Sequence, residues 1–199
     1  MTRSIPVGPR HTARLVLRPF RRRDADALVD AARASLDELT RWLPWAHRDY
    51  GRSEAIRFIR DSNAAWAEGR AFDFSIRRRD DPRVHLGNVS VWHTSRRERA
   101  GEIGYWVRTD ATAAGIATEA ASRLVRVAFE ELGLHRVTVR IATGNRASER
   151  VAEKLRFTRE GLLRKEVLVG GEWMDHSLWA ILDEEFRANR DHYATRTGP

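Results

Sequence analysis

The sequence predicts an α/β protein built on a mixed, mostly antiparallel central sheet with flanking helices. Three observations carry this reading. Phe72-Asp73-Phe74-Ser75-Ile76 opens a run of alternating strands with short connections, which favours an antiparallel meander. Gly115 to Leu132 then shows helical spacing, and Val137, Val139 and Ile141 return to period two, so a strand follows a helical crossover. Two more strands close the chain around Gly170-Gly171, a hairpin turn signal.

The elements follow in order. Leu15-Val16-Leu17 is a short first strand, closed by Pro19. Asp24 is the expected cap of a helix whose apolar face holds Ala27, Leu28, Ala31 and Ala32. Leu39 to Trp45 is aromatic and interrupted by Pro44, which predicts a loop or a broken helix. Ser53 and Glu54 restart a helix bearing Ile56, Ile59, Asn63 and Trp66, and Gly69 ends it. Asp80-Asp81-Pro82 supplies a turn, Val84 to Trp92 a strand and Gly101 to Arg108 another. In the next helix Ile116, Ala120, Leu124, Ala128 and Leu132 form one stripe that stops at Gly133. Asn145 to Leu155 is a further helix, with Ala147, Val151 and Leu155 facing inward. The final strands are expected near Thr158 to Val169 and Glu172 to Leu182.

With 199 residues and 42% hydrophobic content the chain can bury one core, placed at residues 12–186, with residues 1–11 and 187–199 as flexible ends. Cysteine is absent, which excludes a disulfide framework, thiolate zinc sites and a cysteine nucleophile. The histidines lack metal-ligand spacing, so no metal is expected. Met1 to Arg10 has no apolar core of the secretory kind, and no run is long enough to cross a bilayer. A cytoplasmic location without membrane contact is the expectation. The formal charge of +8 raises the question of nucleic acid. The cations are nearly all arginine and are interleaved with acids, as in Arg96-Arg97-Glu98-Arg99, which reads as solvated loops. Nucleic acid is therefore not an expected partner, while a phosphorylated ligand would suit this surface.

The stretch Gly101-Glu102-Ile103-Gly104-Tyr105-Trp106-Val107, followed by Gly115-Ile116-Ala117-Thr118-Glu119-Ala120, carries the most chemistry. A strand leads through a loop to a glycine that opens a helix. Such a junction leaves N–H groups unpaired at the positive end of a helix dipole, where a phosphate can sit.

Together with Asn145-Arg146-Ala147-Ser148 and Trp173-Met174-Asp175, these blocks resemble the GNAT-type N-acetyltransferase superfamily, and within it the ribosomal-protein N-terminal (alanine/serine) acetyltransferases. The resemblance runs from about Thr12 to Phe186. It implies an acyl-CoA N-acyltransferase fold, acetyl-CoA as co-substrate and no metal. It also implies direct transfer of the acetyl group to an amine, most specifically a protein N-terminal α-amino group such as that of a ribosomal protein. A small amine (polyamine, amino acid or antibiotic) is the alternative acceptor, and a non-catalytic coenzyme-binding module the alternative class. A homodimer is common among relatives. Two positions depart from the family pattern. Thr112 stands at the usual Gln or Arg position, followed by Ala113 and Ala114, and Arg156 stands where relatives carry a glycine that ends a helix. Arg156 is expected either to accept a positive φ or to end the helix differently.

The resemblance assigns roles. Val107 would pair with the pantetheine arm through its main chain, next to Trp106; Gly115, Ile116 and Ala117 would hold the pyrophosphate, beside Thr112. Asn145 would reach the pantetheine amides, or simply cap its helix. Ser148 would give a hydrogen bond or a proton to the departing thiolate; capping the first helical turn is its alternative. Glu102 shares a strand face with Gly104 and Trp106 and is the candidate base, with pairing to an arginine as its alternative. Tyr105 points to the opposite face, toward the core. Trp42 and Trp45 flank Pro44 and are the candidate wall of the acceptor cleft; Trp92 and Trp173 are further candidates, or core.

Overall fold

The computed structural model describes residues 5–197. An eight-stranded sheet runs in the order β1-β2-β3-β4-β5-β6-β8-β7, with β1 at Arg10–His11, β2 at Leu15–Pro19, β3 at Ala71–Arg78, β4 at His85–Ser95, β5 at Ala100–Val107, β6 at Arg136–Ala142, β7 at Thr158–Val169 and β8 at Glu172–Leu182. Every neighbouring pair is antiparallel except β5 and β6. That parallel pair needs the helical crossover that the pattern after Gly115 predicts.

Alternation decides which helices cover which face. Phe72, Phe74 and Ile76 on β3 meet Val89 and Val91 on β4, Ile103 on β5 and Val137 and Val139 on β6, all buried in one cluster with α4 (Ile116–Arg126). The opposite face carries Trp106, clustered with Phe20, Leu28, Ala31 and Ile59 from α1 (Ala25–Arg33), α3 (Arg52–Ala67) and the segment before them. Between those two helices lie the single-turn α2 (Leu36–Leu39) and the turns that carry Trp42 and Trp45, in line with an interrupted helix. Among the described residues no helix is long and apolar enough to cross a membrane.

Four local expectations need correction. Asp24 precedes α1 without capping it through its side chain; the carboxylate accepts from the Arg21 N–H and from Arg18 and Arg77, because two guanidiniums compete better than one exposed amide. Glu54, not Ser53, closes the start of α3, accepting from the Gly51 N–H at 2.9 Å. Ala147 is exposed on α5 (Arg146–Lys154), although Val151 and Leu155 are buried as expected. The ends expected to be flexible are, within the described residues, anchored. Ile5 is buried in the core and Arg10 pairs with Glu131. Past α6 (Asp183–Ala188) the chain continues as α7 (Arg190–Thr197), where Tyr193 is fully buried beside Phe186 and donates to the Leu155 carbonyl. One aromatic with a satisfied hydroxyl outweighs the polarity of the surrounding tail.

Arg156 adopts φ +59, the first of the two expected outcomes, a left-handed conformation that favours glycine. The helix after Gly115 does not stay regular to Leu132: it widens into a π-type turn over Val127–Glu131 before Gly133 ends it.

Candidate active site

The parallel pair that forms the middle of the sheet is held together only at its root. Pairing runs Ala100↔Arg136, Gly101↔Val137 and Glu102↔Thr138, and then stops, although β5 continues to Val107 and β6 to Ala142. Beyond Glu102 the two strands diverge, and the main-chain groups on the β6 side of Ile103–Val107 face an open wedge. An extended arm with amide groups can add to such an edge as a strand would.

At the wide end of the wedge the chain turns into α4. Gly115 is its N-cap at φ +79, and among the described residues the N–H groups of Ile116, Ala117 and Thr118 make no hydrogen bond. A side chain at Gly115 would be strained and would meet the Arg14 guanidinium at 3.4 Å. The free amides, the dipole of α4 and that guanidinium together form a cradle suited to a diphosphate. Arg14 itself is held by Glu119 at 2.7 Å and by the Ala114 carbonyl at 3.0 Å. It was not legible in the sequence because its target lies a hundred positions downstream. Thr112 is exposed and donates to the Thr109 carbonyl, so its side chain stabilises the turn. The residues present fit coenzyme A through main-chain groups, as small Ala113, Ala114, Gly115 and Ala117 allow.

On the far side of the wedge, the Asn145 side chain accepts from the Ser148 N–H at 3.1 Å and caps α5. The Ser148 hydroxyl has no partner among the described residues. Its carbonyl accepts from the Tyr105 hydroxyl at 3.2 Å, a bond that spans from β5 to α5. Tyr105 is thus only partly core; burial pushes its hydroxyl pKa up, so it stays a neutral donor.

The β4–β5 register puts Asn88, Ser90 and Trp92 opposite Trp106, Gly104 and Glu102 on the face that α1 and α3 only partly cover. Here opens a cleft of about 600 Å³ walled by Trp45, Tyr50, Phe58, Trp92 and Trp106. Trp45 meets Trp106 at 5.8 Å and Tyr50 at 5.4 Å between ring centroids. The Trp92 ring lies so close over Gly104 that a Cβ there would come within 3.1 Å of it. Of the four candidate tryptophans, the structure brings Trp45 and Trp92 to this cleft. Trp42 turns away and donates to Glu38, one helical turn back, while Trp173 is exposed on the β7–β8 hairpin. Trp106 contributes its indole to the cleft and only its main chain to the wedge.

Glu102 is buried, and the Arg140 Nε lies 2.9 and 3.0 Å from its two oxygens. Burial pushes its carboxyl above the ordinary 4.5, against the lowering effect of the Arg140 hydrogen bond and charge. The same arginine donates from Nη1 to Glu166 at 2.7 Å. The second Glu166 oxygen and His176 Nδ1 are shielded, lack hydrogen-bond partners and lie 3.8 Å apart. Sequence reasoning missed this group. Glu166 reaches it because β7 slips register between Leu163 and Val167, with Lys165 at φ +49, and such a bulge re-aims a side chain.

Residues 14–158 match the family described as acetyltransferase (GNAT) domain. The chain is 32% identical over 171 residues to the uncharacterized N-acetyltransferase YoaA of Bacillus subtilis, covering 86% of this chain and 94% of that one. It is 25% identical over 184 residues to the [ribosomal protein uS5]-alanine N-acetyltransferase of Escherichia coli, covering 90% and 93% respectively. Among solved structures, RimJ of Mycobacterium smegmatis in complex with CoA-disulfide superimposes with a TM-score of 0.86 at 30% identity, covering 98% of this chain and 96% of that one. With the splayed parallel strands and the glycine-capped helix between them, these matches place the chain in the GNAT family: it is an acetyl-CoA-using N-acetyltransferase.

Proposed function

We propose that the protein acetylates a protein N-terminal α-amino group, with a ribosomal protein as the substrate class. One observation carries this reading: the aromatic cleft lined by Trp45, Trp92, Gly104 and Trp106 shares strand β5 with the β5–β6 wedge, so an amine seated in the cleft lies beside an acyl arm held in the wedge. Bound acetyl-CoA supplies an activated acyl thioester. The remaining work falls to the chain. Val107 and its neighbours would align the pantetheine arm, Gly115, Ile116 and Ala117 would hold the diphosphate, and the amide nitrogen of Asn145, whose oxygen caps α5, would serve the arm's amides. Most of the rate comes from this alignment.

The acceptor must lose a proton to become nucleophilic. Glu102, whose carboxyl burial raises, is the acceptor of that proton, and Arg140, which also binds Glu166, holds Glu102 in place. The unpartnered Ser148 hydroxyl donates a hydrogen bond to sulfur as the bond to the acyl carbon breaks.

The acceptor class draws support from the likeness to the uS5-alanine acetyltransferase and to RimJ. The cleft walls agree. The acids on its rim are already engaged, Glu54 by His47 and Asp61 by Arg60, and Arg57 adds a cation, so a polycationic small amine finds no carboxylate array. The test is acetylation of a peptide library with free or blocked N-termini, read by mass spectrometry, beside polyamines and free amino acids. Label on α-amino groups alone is the expected result. Turnover of small amines with none of any peptide would overturn the acceptor assignment.

A further inference from the structure

A second cavity, of about 650 Å³, lies at the opposite end of β5 and β6, where Arg96 and Arg99 precede β5 and Leu132 and Leu134 precede β6. Its charges are unevenly settled. Glu130 is held by Arg126 and Arg190, and Asp183 by His135 and Arg187. Arg96 spends its Nη2 on the carbonyls of Glu68 and Gly69. The exposed Arg99 guanidinium has no partner among the described residues, although Arg99 sits at φ +50, a conformation unfavourable for a non-glycine residue. Two arginines thus face this cavity with no carboxylate of their own. Beside them both ring nitrogens of His93 are shielded from solvent and lack hydrogen-bond partners. Burial and the Arg96 charge keep that ring neutral, with one donor and one acceptor to offer. The floor is apolar: Phe129 and Phe186 stack at 4.9 Å, and Phe129 is presented by the π-type turn, a distortion that recurs at functional sites.

We propose that this cavity binds a small organic anion, its carboxylate or phosphate head held by Arg96 and Arg99 and a flat apolar body seated over Phe129 and Leu134. The site is remote from the coenzyme cradle and takes no part in the transfer. A half-buried imidazole whose nitrogens lack partners and an exposed arginine with no counter-ion share one explanation, a ligand with an oxyanion and a body.

The test is calorimetric titration of the full chain, saturated with coenzyme A to block the cradle at α4, with 3-phenylpropanoate and with phenyl phosphate. The neutral 3-phenylpropan-1-ol serves as control. Both anions should bind at one site per chain, and the alcohol about tenfold more weakly or not at all. Arg99→Gly and Arg99→Asn suit the positive φ, so they should keep or raise the melting temperature while weakening both anions about tenfold. Absence of saturable anion binding, equal affinity for the alcohol, or undiminished binding in the Arg99 variants would each overturn the proposal. Should coenzyme A itself not bind, the function proposed above fails, while the Arg99 variants still report on this cavity in the unliganded protein.

Discussion

Arg140 holds Glu102 and Glu166 at once, with Nε at 2.9 and 3.0 Å from the Glu102 oxygens and Nη1 at 2.7 Å from Glu166. One cation thus ties two carboxylates on different strands together, and burial, to which the Glu166 charge adds, raises the Glu102 carboxyl. Burial holds Glu102 above 4.5 while Arg140 restrains the rise. The rate kcat/KM should therefore climb with pH along a limb centred above 4.5. Arg140→Met removes the restraint, so the limb should move to higher pH and the rate below it should fall. Glu102→Gln and Glu166→Gln should each lower kcat, on the order of a hundredfold for Glu102 as the acceptor of the proton, with coenzyme affinity unchanged. A pH profile identical in all three variants would remove this couple from the reaction.

Gly115→Ala tests the cradle. The new Cβ at φ +79 costs roughly 1–2 kcal/mol and crowds Arg14. A lower melting temperature and about tenfold weaker coenzyme binding are expected, the latter equivalent to about 1.4 kcal/mol. A lower melting temperature with unaltered coenzyme affinity would show that the α4 N-terminus only folds the loop.

Asp24 links β2 to β3 through Arg18 and the buried Arg77. Burial alone would raise its carboxyl, but hydrogen bonds from Arg18 and the Arg21 N–H, with the charges of Arg18 and Arg77, bring the net value below 3.8. A depressed carboxylate contributes stability that is present above its unfolded value and lost as pH falls through the folded one. Unfolding free energy should thus decline below pH 3.8 in the parent, and this decline should shrink in Asp24→Asn. That variant should lose about 3 kcal/mol at neutral pH, since Arg77 is left buried and unpaired. Denaturant titrations at both pH values decide it.

Arg156 holds φ +59 and bonds to Asn189 with an exposed side chain. Arg156→Gly should raise stability by about 1 kcal/mol, because relief of the left-handed strain exceeds the loss of an exposed hydrogen bond. Arg156→Val should lower it. Chemical denaturation midpoints moving in the same direction for both would contradict the strain argument.

Period and punctuation determined the architecture. Alternation in β3 to β5, the helical stripe from Gly115, and Gly170-Gly171 are local signals, and each became the expected element because its apolar face had one place to bury. The glycine-capped start of α4, proposed above as the coenzyme cradle, was legible for the same reason: it is made of consecutive main-chain groups around Gly115. The tertiary structure decided what depends on distant partners. Pairing beyond Glu102 ends only when β5 and β6 lie side by side, Glu166 enters the site through a bulge, and Arg14 reaches Gly115 across the fold. Trp45 and Trp92 were separated from Trp42 and Trp173 by backbone turns that no spacing encodes. Tyr193 anchors a tail that composition alone reads as loose, because burial of one ring is settled by the surface it meets.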